Sequence, residues 1–173
     1  SFNSPKGMCP NCNGLGVQQV LNQDKIIPDR SIPINKGGII PLGERKNNWA
    51  FKQIEVIAKC YGFSLNDPIE KIPNEALQVI LKGGKEKFSI PSKSLGITRD
   101  YKIDYEGIEN FIQYQYLNSE SSGIKRWAKA FMDEKKCSSC NGQRLKKEAQ
   151  YFKINDATIG ELTSMDLIDL YRW

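Results

Sequence analysis

The sequence contains no histidine and no long apolar run. Without histidine, a chain cannot form a Ser-His-Asp or Cys-His triad, an HExxH metalloprotease helix or a histidine proton shuttle. The longest nearly apolar stretches, 38–42 and 77–81, are far shorter than the roughly 20 residues that a membrane-spanning helix needs. The first eight residues lack the basic start and apolar segment of a signal peptide. These absences exclude most hydrolase classes and a helical membrane span.

The composition is that of an ordinary globular chain. Of the 173 residues, 39% are hydrophobic and 26% are charged, which is close to the average for soluble domains. The length suits one domain, or one domain with a small satellite. Because position 1 is Ser rather than Met, we expect the sequence to belong to a longer protein.

The excess of positive charge is concentrated in one segment. The net charge is +5, and residues 123–147 carry eight basic and two acidic side chains, a net +6. The other 17 basic and 18 acidic residues give −1. A local basic excess favours an anionic partner.

The five cysteines carry the strongest chemical signal. Four of them form the same hexapeptide, C-x-x-C-N-G, which occurs at 9–14 and again at 137–142. A two-residue gap lets both thiolates of one such knuckle reach a single Zn²⁺, and the glycine permits the turn that points backbone N–H groups at sulfur. We therefore predict one closed, structural zinc site with four ligands: Cys9, Cys12, Cys137 and Cys140.

Other interpretations of the cysteines remain open. One C-x-x-C pair is also typical of a thioredoxin-like redox site, although two pairs with the same Asn-Gly tail are not. Four thiolates can also hold an iron–sulfur cluster. Cys60 stands outside the pattern and is interpreted as a half-buried apolar residue of a helix.

The two knuckles are 124 residues apart, which predicts a domain inserted between them. We expect a zinc stem formed by 1–16 and 135–173, and an insertion domain at 17–134. The pattern of apolar residues predicts an α+β fold. Its elements are helices at 49–61, 73–81, 107–117, 123–134 and 164–173, and strands at 17–21, 87–90, 97–103 and 151–154.

The helix predicted at 123–134 has a basic face. Its apolar residues are expected to be buried, and they are Ile124, Trp127, Ala128 and Phe131. Lys125, Arg126 and Lys129 then point away from the core. A second basic group, Arg144, Lys146 and Lys147, directly follows the second knuckle. Both groups are predicted to contact phosphates of DNA, and the alternative is a solvated surface whose lysines partly neutralise the thiolates.

Three blocks of the sequence resemble the UvrA family, the damage-sensing ATPases of bacterial nucleotide-excision repair. They are S-F-N-S-P-K-G-M-C-P-N-C-N-G-L-G at 1–16, C-S-S-C-N-G-Q-R-L at 137–145 and I-G-E-L-T-S-M-D at 159–166. In that family the cysteine blocks form a zinc module of the first signature domain, and the long excursion is an insertion domain near the DNA path. The resemblance thus implies an interaction with damaged duplex DNA.

The resemblance also implies partners and cofactors beyond these residues. UvrB and a second UvrA subunit are the expected protein partners, and the cytoplasm is the expected location. The sequence holds no Walker A, Walker B or LSGGQ-like motif, so the ATP and Mg²⁺ sites are expected elsewhere in the parent. We expect no catalysis from these 173 residues alone.

Two other classes of protein fit part of the pattern. Residues 9–16 match the C-x-x-C-x-G-x-G repeat of DnaJ-type chaperone zinc modules, but Arg144 stands where the second block should end in glycine. A zinc module that binds a protein partner is the other alternative. Salt dependence separates it from DNA binding, because phosphate contacts release counterions.

Overall fold

The structure is a computed structural model that describes residues 1–91 and 98–173. Among these residues the helices are α1 (Gln23–Ile26), α2 (Trp49–Tyr61), α3 (Asn74–Lys82), α4 (Ile108–Asn118), α5 (Ser122–Lys129), α6 (Ile159–Leu162) and α7 (Leu167–Arg172). The strands are β1 (Val17–Leu21), β2 (Gly84–Pro91), β3 (Thr98–Tyr105), β4 (Met132–Lys136), β5 (Lys153–Ile154) and β6 (Ala157–Thr158). The α+β class predicted from the sequence is confirmed. None of the described helices is long and apolar enough to span a membrane.

The chain divides into two compact units. The smaller unit contains 1–20 and 133–173, and the larger unit contains 21–132. Strands pair two by two, β1 with β4, β2 with β3 and β5 with β6. The antiparallel β2–β3 hairpin begins with Gly84 opposite Tyr105.

Helices α2, α3 and α4 supply most of the core of the larger unit. Phe51, Ile54 and Ile57 lie on one face of α2 and are fully buried. They belong to one apolar cluster with Ile80 of α3 and Ile112 of α4. This burial follows from the helical spacing of the apolar residues, because positions three and four apart share one face.

The ends of α2 follow its sequence closely. The Asn48 side chain accepts a hydrogen bond from the backbone N–H of Phe51 at 3.0 Å. Gly62 ends the helix in the left-handed conformation, with φ 73°. An Asn cap before the helix and a Gly after it are the expected signals, so the predicted bounds of 49–61 are confirmed.

The helix predicted at 123–134 is shorter in the structure. Helix α5 ends at Lys129, and the chain continues as β4 from Met132. The carbonyl of Phe131 accepts a hydrogen bond from the N–H of Asn22 at 2.9 Å, next to the end of β1. Pairing with β1 therefore replaces the helical continuation that the local pattern predicts.

The predicted burial on α5 is correct only in part. Ala128 is buried, and so is Phe131 just beyond the helix. Ile124 is 41% exposed and Trp127 is 36% exposed, because a helix of eight residues presents only a short face to its neighbour α4. Trp127 still packs edge-on against Phe131, with ring centroids 5.3 Å apart.

The C-terminal elements also differ from their predictions. Tyr151 ends a 3₁₀ turn, so the strand predicted at 151–154 is reduced to the two residues of β5. The helix predicted from Ser164 begins later, because the Asp166 side chain caps the N–H of Asp169 at 2.8 Å. Sequence periodicity is a weak guide for elements this short. Ile97 of the predicted strand 97–103 lies outside the described residues.

Two glycines allow the end of α3 to pass close to the start of α4. Gly83 and Gly107 both have left-handed φ angles, 83° and 89°. A Cβ on Gly107 would lie 2.3 Å from the backbone N of Gly83, and one on Gly83 would lie 2.3 Å from the carbonyl O of Glu106. Only glycine fits such a backbone crossing.

This crossing gives a test of the larger unit. We expect Gly107→Ala to lower the free energy of unfolding by about 1–3 kcal/mol for its backbone angles, φ 89° and ψ 148°, which favour glycine, plus about 1–3 kcal/mol for the backbone clash. Gly62→Ala is the control for a positive φ without a clash, because Gly62 has φ 73° and ψ 36° and an added Cβ would meet nothing within 4 Å. Urea denaturation of both variants measures the difference. Equal destabilisation would contradict the close approach.

Candidate metal centre

The two knuckles bring four sulfur atoms together inside the smaller unit. The ligand atoms of Cys9, Cys12, Cys137 and Cys140 all lie within 4.8 Å of one another, and all four residues are buried. The Sγ atoms of Cys9 and Cys137 are 3.9 Å apart, and those of Cys12 and Cys140 are 3.7 Å apart. Thiolates about 2.3 Å from a tetrahedral metal lie roughly 3.8 Å from one another. The cluster can therefore hold one metal ion.

Both knuckles use the same backbone turn. Asn13 and Asn141 have φ 49°, and the glycines that follow them, Gly14 and Gly142, have φ 77° and 84°. Asn and Gly are the residues that most readily adopt left-handed angles. The repeated Asn-Gly therefore suits the turn that follows the second cysteine of each pair.

Each turn points a backbone donor at a sulfur. The N–H of Gly16 donates to Sγ of Cys12 at 3.2 Å, and the N–H of Arg144 donates to Sγ of Cys140 at 3.3 Å. Both donors lie four residues after the cysteine that they contact. Such hydrogen bonds stabilise thiolates and orient metal ligands.

The knuckles also bond to each other through equivalent positions. The N–H of Cys9 donates to the carbonyl O of Arg144, and the N–H of Cys137 donates to that of Gly16, both at 2.9 Å. Position 144 therefore occupies the place of Gly16 in the other half, and Arg144 has a left-handed φ of 71° against 80° for Gly16. The two halves are related by an approximate twofold symmetry.

Sequence reasoning missed the structural role of Arg144. Its Nε donates to the carbonyl O of Gly14 at 2.7 Å, so the side chain of one knuckle holds the turn of the other. Its guanidinium lies 4.7 Å from the ring centroid of Phe2, a cation–π distance. The only signal in the sequence is that position 144 holds arginine where the first knuckle has glycine, Gly16.

The backbone donors affect the acidity of the thiols. Burial raises the pKa of Cys137, but N–H groups of Cys140 and Ser139 and the neighbouring thiols outweigh it and bring the pKa down to about 7. For Cys140, burial dominates and raises the pKa to about 11. Metal ligation requires thiolates, so binding displaces protons and strengthens as pH rises.

The predicted DNA-contact residues fall into two groups in different units. Lys125, Arg126 and Lys129 are exposed on α5 of the larger unit. Lys146 and Lys147 follow the second knuckle in the smaller unit, where Lys147 is exposed and Lys146 is half-buried. The basic segment that is continuous in sequence is thus divided by β4.

Cys60 lies apart from the metal centre. It is half-buried on α2 in the larger unit, packed against the apolar core, as the sequence predicts. Among the described residues, the four knuckle cysteines form the one cluster of three or more Cys, Asp or Glu side chains close enough to share a metal ion.

Comparisons with known proteins agree with this arrangement. The family model described as the UvrA DNA-binding domain matches residues 23–130, which is more than half of the chain. The chain belongs to the UvrA family. The matched segment lies wholly within the larger unit, between β1 and β4.

Individual relatives cover nearly all of the chain. It is 36% identical to UvrABC system protein A of Listeria monocytogenes over 96% of its length, and 37% identical to that of Mycoplasmopsis pulmonis over 99%. It spans 18% of the length of each of these relatives. The resemblance to UvrA is therefore confirmed, and the DnaJ-type alternative is not favoured.

A solved structure shares the fold. The chain superposes on UvrA2 from Deinococcus radiodurans with a TM-score of 0.71, at 23% identity, over 99% of this chain and 22% of that one. The fold described above is thus also present in an experimentally determined UvrA-type protein.

The four-cysteine site gives a direct test. We expect Cys137→Ser to lose the bound metal ion, because three thiolates leave the tetrahedron open. Cys60→Ser, which removes a cysteine outside the cluster, is the matched control and should keep one ion per chain. Elemental analysis of the purified variants measures both. Undiminished metal in Cys137→Ser would contradict the assignment.

Proposed function

We propose that this chain is a zinc-containing, DNA-interacting part of a UvrA protein that acts in nucleotide-excision repair. The observation that carries the proposal is the match of residues 23–130 to the UvrA DNA-binding domain. In this account the larger unit is an insertion domain that approaches DNA. The smaller unit is a metal-stabilised stem that belongs to the first signature domain.

Zinc is the metal that best fits the four-sulfur cluster. All the ligands are thiolates, they are buried, and the distances of 3.7 and 3.9 Å suit a closed tetrahedron. A closed Cys₄ site leaves no open position for water or substrate, so its role is structural rather than catalytic. When bound, the ion supplies folding free energy by holding the two knuckles together.

The basic side chains are the proposed DNA contacts. Lys125, Arg126 and Lys129 offer three exposed positive charges on one short helix. Lys146 and Lys147 offer two more, on backbone that is held by the N–H of Lys146 donating to the carbonyl O of Gly7 at 3.0 Å. Charges on rigid backbone position phosphates with a small loss of entropy.

The proposed role of Arg144 differs from that of the exposed lysines. Its guanidinium already contacts Gly14 and Phe2, so only the N–H groups outside these contacts are available for a phosphate. We propose that Arg144 acts on DNA mainly through the knuckle turn that it stabilises and secondarily as a direct contact.

The remaining functions lie outside these 173 residues in our account. The parent binds ATP and Mg²⁺ at sites that this chain does not contain, and it works with UvrB and a second UvrA subunit. The cytoplasm is the proposed location. This part of the protein has no catalytic activity of its own.

Salt dependence tests the DNA contacts. We expect duplex binding to weaken with salt at a log–log slope of roughly −0.9 for each phosphate contact. Replacing Lys125, Arg126 and Lys129 together by Ala should weaken binding similarly for all sequences and make that slope shallower by up to about 2.7. Fluorescence anisotropy with a labelled duplex at several salt concentrations measures both quantities.

A second triple variant tests whether the change in slope depends on the α5 surface or only on the loss of three positive charges. Replacing Lys6, Lys36 and Lys71 by Ala removes three exposed charges outside both basic groups. This variant should keep most of the parent's slope. Identical slopes in the parent and in the α5 variant would remove the DNA role of α5 and favour a protein partner for that surface.

A further inference from the structure

An aromatic groove lies beside the start of α2 in the larger unit. Trp49, the first residue of α2, is 74% exposed, and Phe111 of α4 is 44% exposed. Both line one groove, together with Pro41, Leu42 and Ile108. An indole this exposed contributes little to the core, so packing alone does not account for it.

Basic side chains lie next to this groove. Arg45, Lys46 and Lys52 line a second depression, and Lys46 and Lys52 are each three residues from Trp49 along the chain. Arg45 is paired with Glu55 at 2.6 Å. Lys46 and Lys52 are exposed and make no ion pair with any residue that the structure describes. Two positive charges are therefore available beside Trp49.

The groove itself is also lined by two acidic residues. They are Asp104 and Glu106, and Asp104 faces Lys85 at 4.0 Å. Carboxylates repel phosphate but accept hydrogen bonds from amino groups. A ligand with both a phosphate and a flat, polar-edged group would thus place its flat group in the groove and keep its phosphate outside it, near the lysines.

We propose that this surface binds an unstacked nucleotide of a single DNA strand. The base stacks on Trp49 inside the groove, and the flanking phosphates contact Lys46 and Lys52. Charge complementarity and exposed aromatic area are the two features by which proteins hold single strands without sequence preference. The inference rests on the proposed interaction of this chain with DNA and assigns it a second, strand-specific surface.

A base-paired duplex cannot place a base in this groove. Its bases are stacked on one another, so their faces are closed to an indole, and only its phosphates reach the lysines. Stacking therefore distinguishes the groove from the basic residues of α5, which contact phosphates of either form. The groove favours DNA that is locally unpaired.

The test compares single-stranded and duplex DNA. We expect Trp49→Ala to weaken binding of a labelled oligothymidylate of about ten nucleotides by on the order of tenfold. Trp49→Phe, which keeps a stacking face, should recover most of that loss. Trp173→Ala is the matched control, because Trp173 is an exposed tryptophan of the other unit. Duplex affinity should change much less in all three variants.

The lysines require a separate measurement. Lys52→Ala should make the log–log salt slope for the oligothymidylate shallower by roughly 0.7, the value of one single-strand phosphate contact. Lys71→Ala removes one exposed charge away from the groove and should leave the slope unchanged.

The outcomes separate this inference from the proposed function. Duplex binding with an oligothymidylate affinity that is unchanged in Trp49→Ala would overturn the groove as a nucleotide site and leave the DNA role of α5 intact. Absence of binding to either form of DNA, by the zinc-loaded chain, would overturn both. A loss in Trp49→Ala that is recovered by Trp49→Phe supports stacking.

Discussion

The four-sulfur cluster is the interaction on which the rest of the structure depends. It joins residues 9–12 to residues 137–140 across 124 intervening residues. If a metal ion binds there, as we propose, closing a loop of that length by one crosslink stabilises the folded state by on the order of 4 kcal/mol in the loop-entropy description. The hydrogen bonds of Cys9 to Arg144 and Cys137 to Gly16 act in the same direction. The larger unit can therefore form as a separate core whose two ends are held close together.

The sequence predicts the cluster of four cysteines well because the geometry of each half is local. A C-x-x-C-N-G hexapeptide contains the spacing, the left-handed Asn-Gly turn and the donor for sulfur, so two copies define both halves of a tetrahedron. The bounds of α2 are equally predictable, since Asn48 and Gly62 act within one turn of the helix. The end of α5 is not predictable in this way. It depends on the pairing of β4 with β1, a partner more than 100 residues away.

The surfaces are harder to derive than the core. Helical spacing placed Trp127 on the buried face of α5, yet the indole is partly exposed because the helix is short. The sequence predicts Arg144 as a phosphate contact and gives no indication that its Nε also donates to the carbonyl O of Gly14. In each case exposure depends on tertiary neighbours that local pattern does not specify.

The most direct measurement of the central claim is X-ray absorption at the zinc edge of the purified chain. A closed centre of Cys9, Cys12, Cys137 and Cys140 predicts a first shell of four sulfur atoms at about 2.3 Å, with no nitrogen or oxygen ligand. That result would identify the cluster as the structural link between the two ends of the excursion. A shell that contains nitrogen or oxygen, or fewer than four sulfurs, would contradict the account.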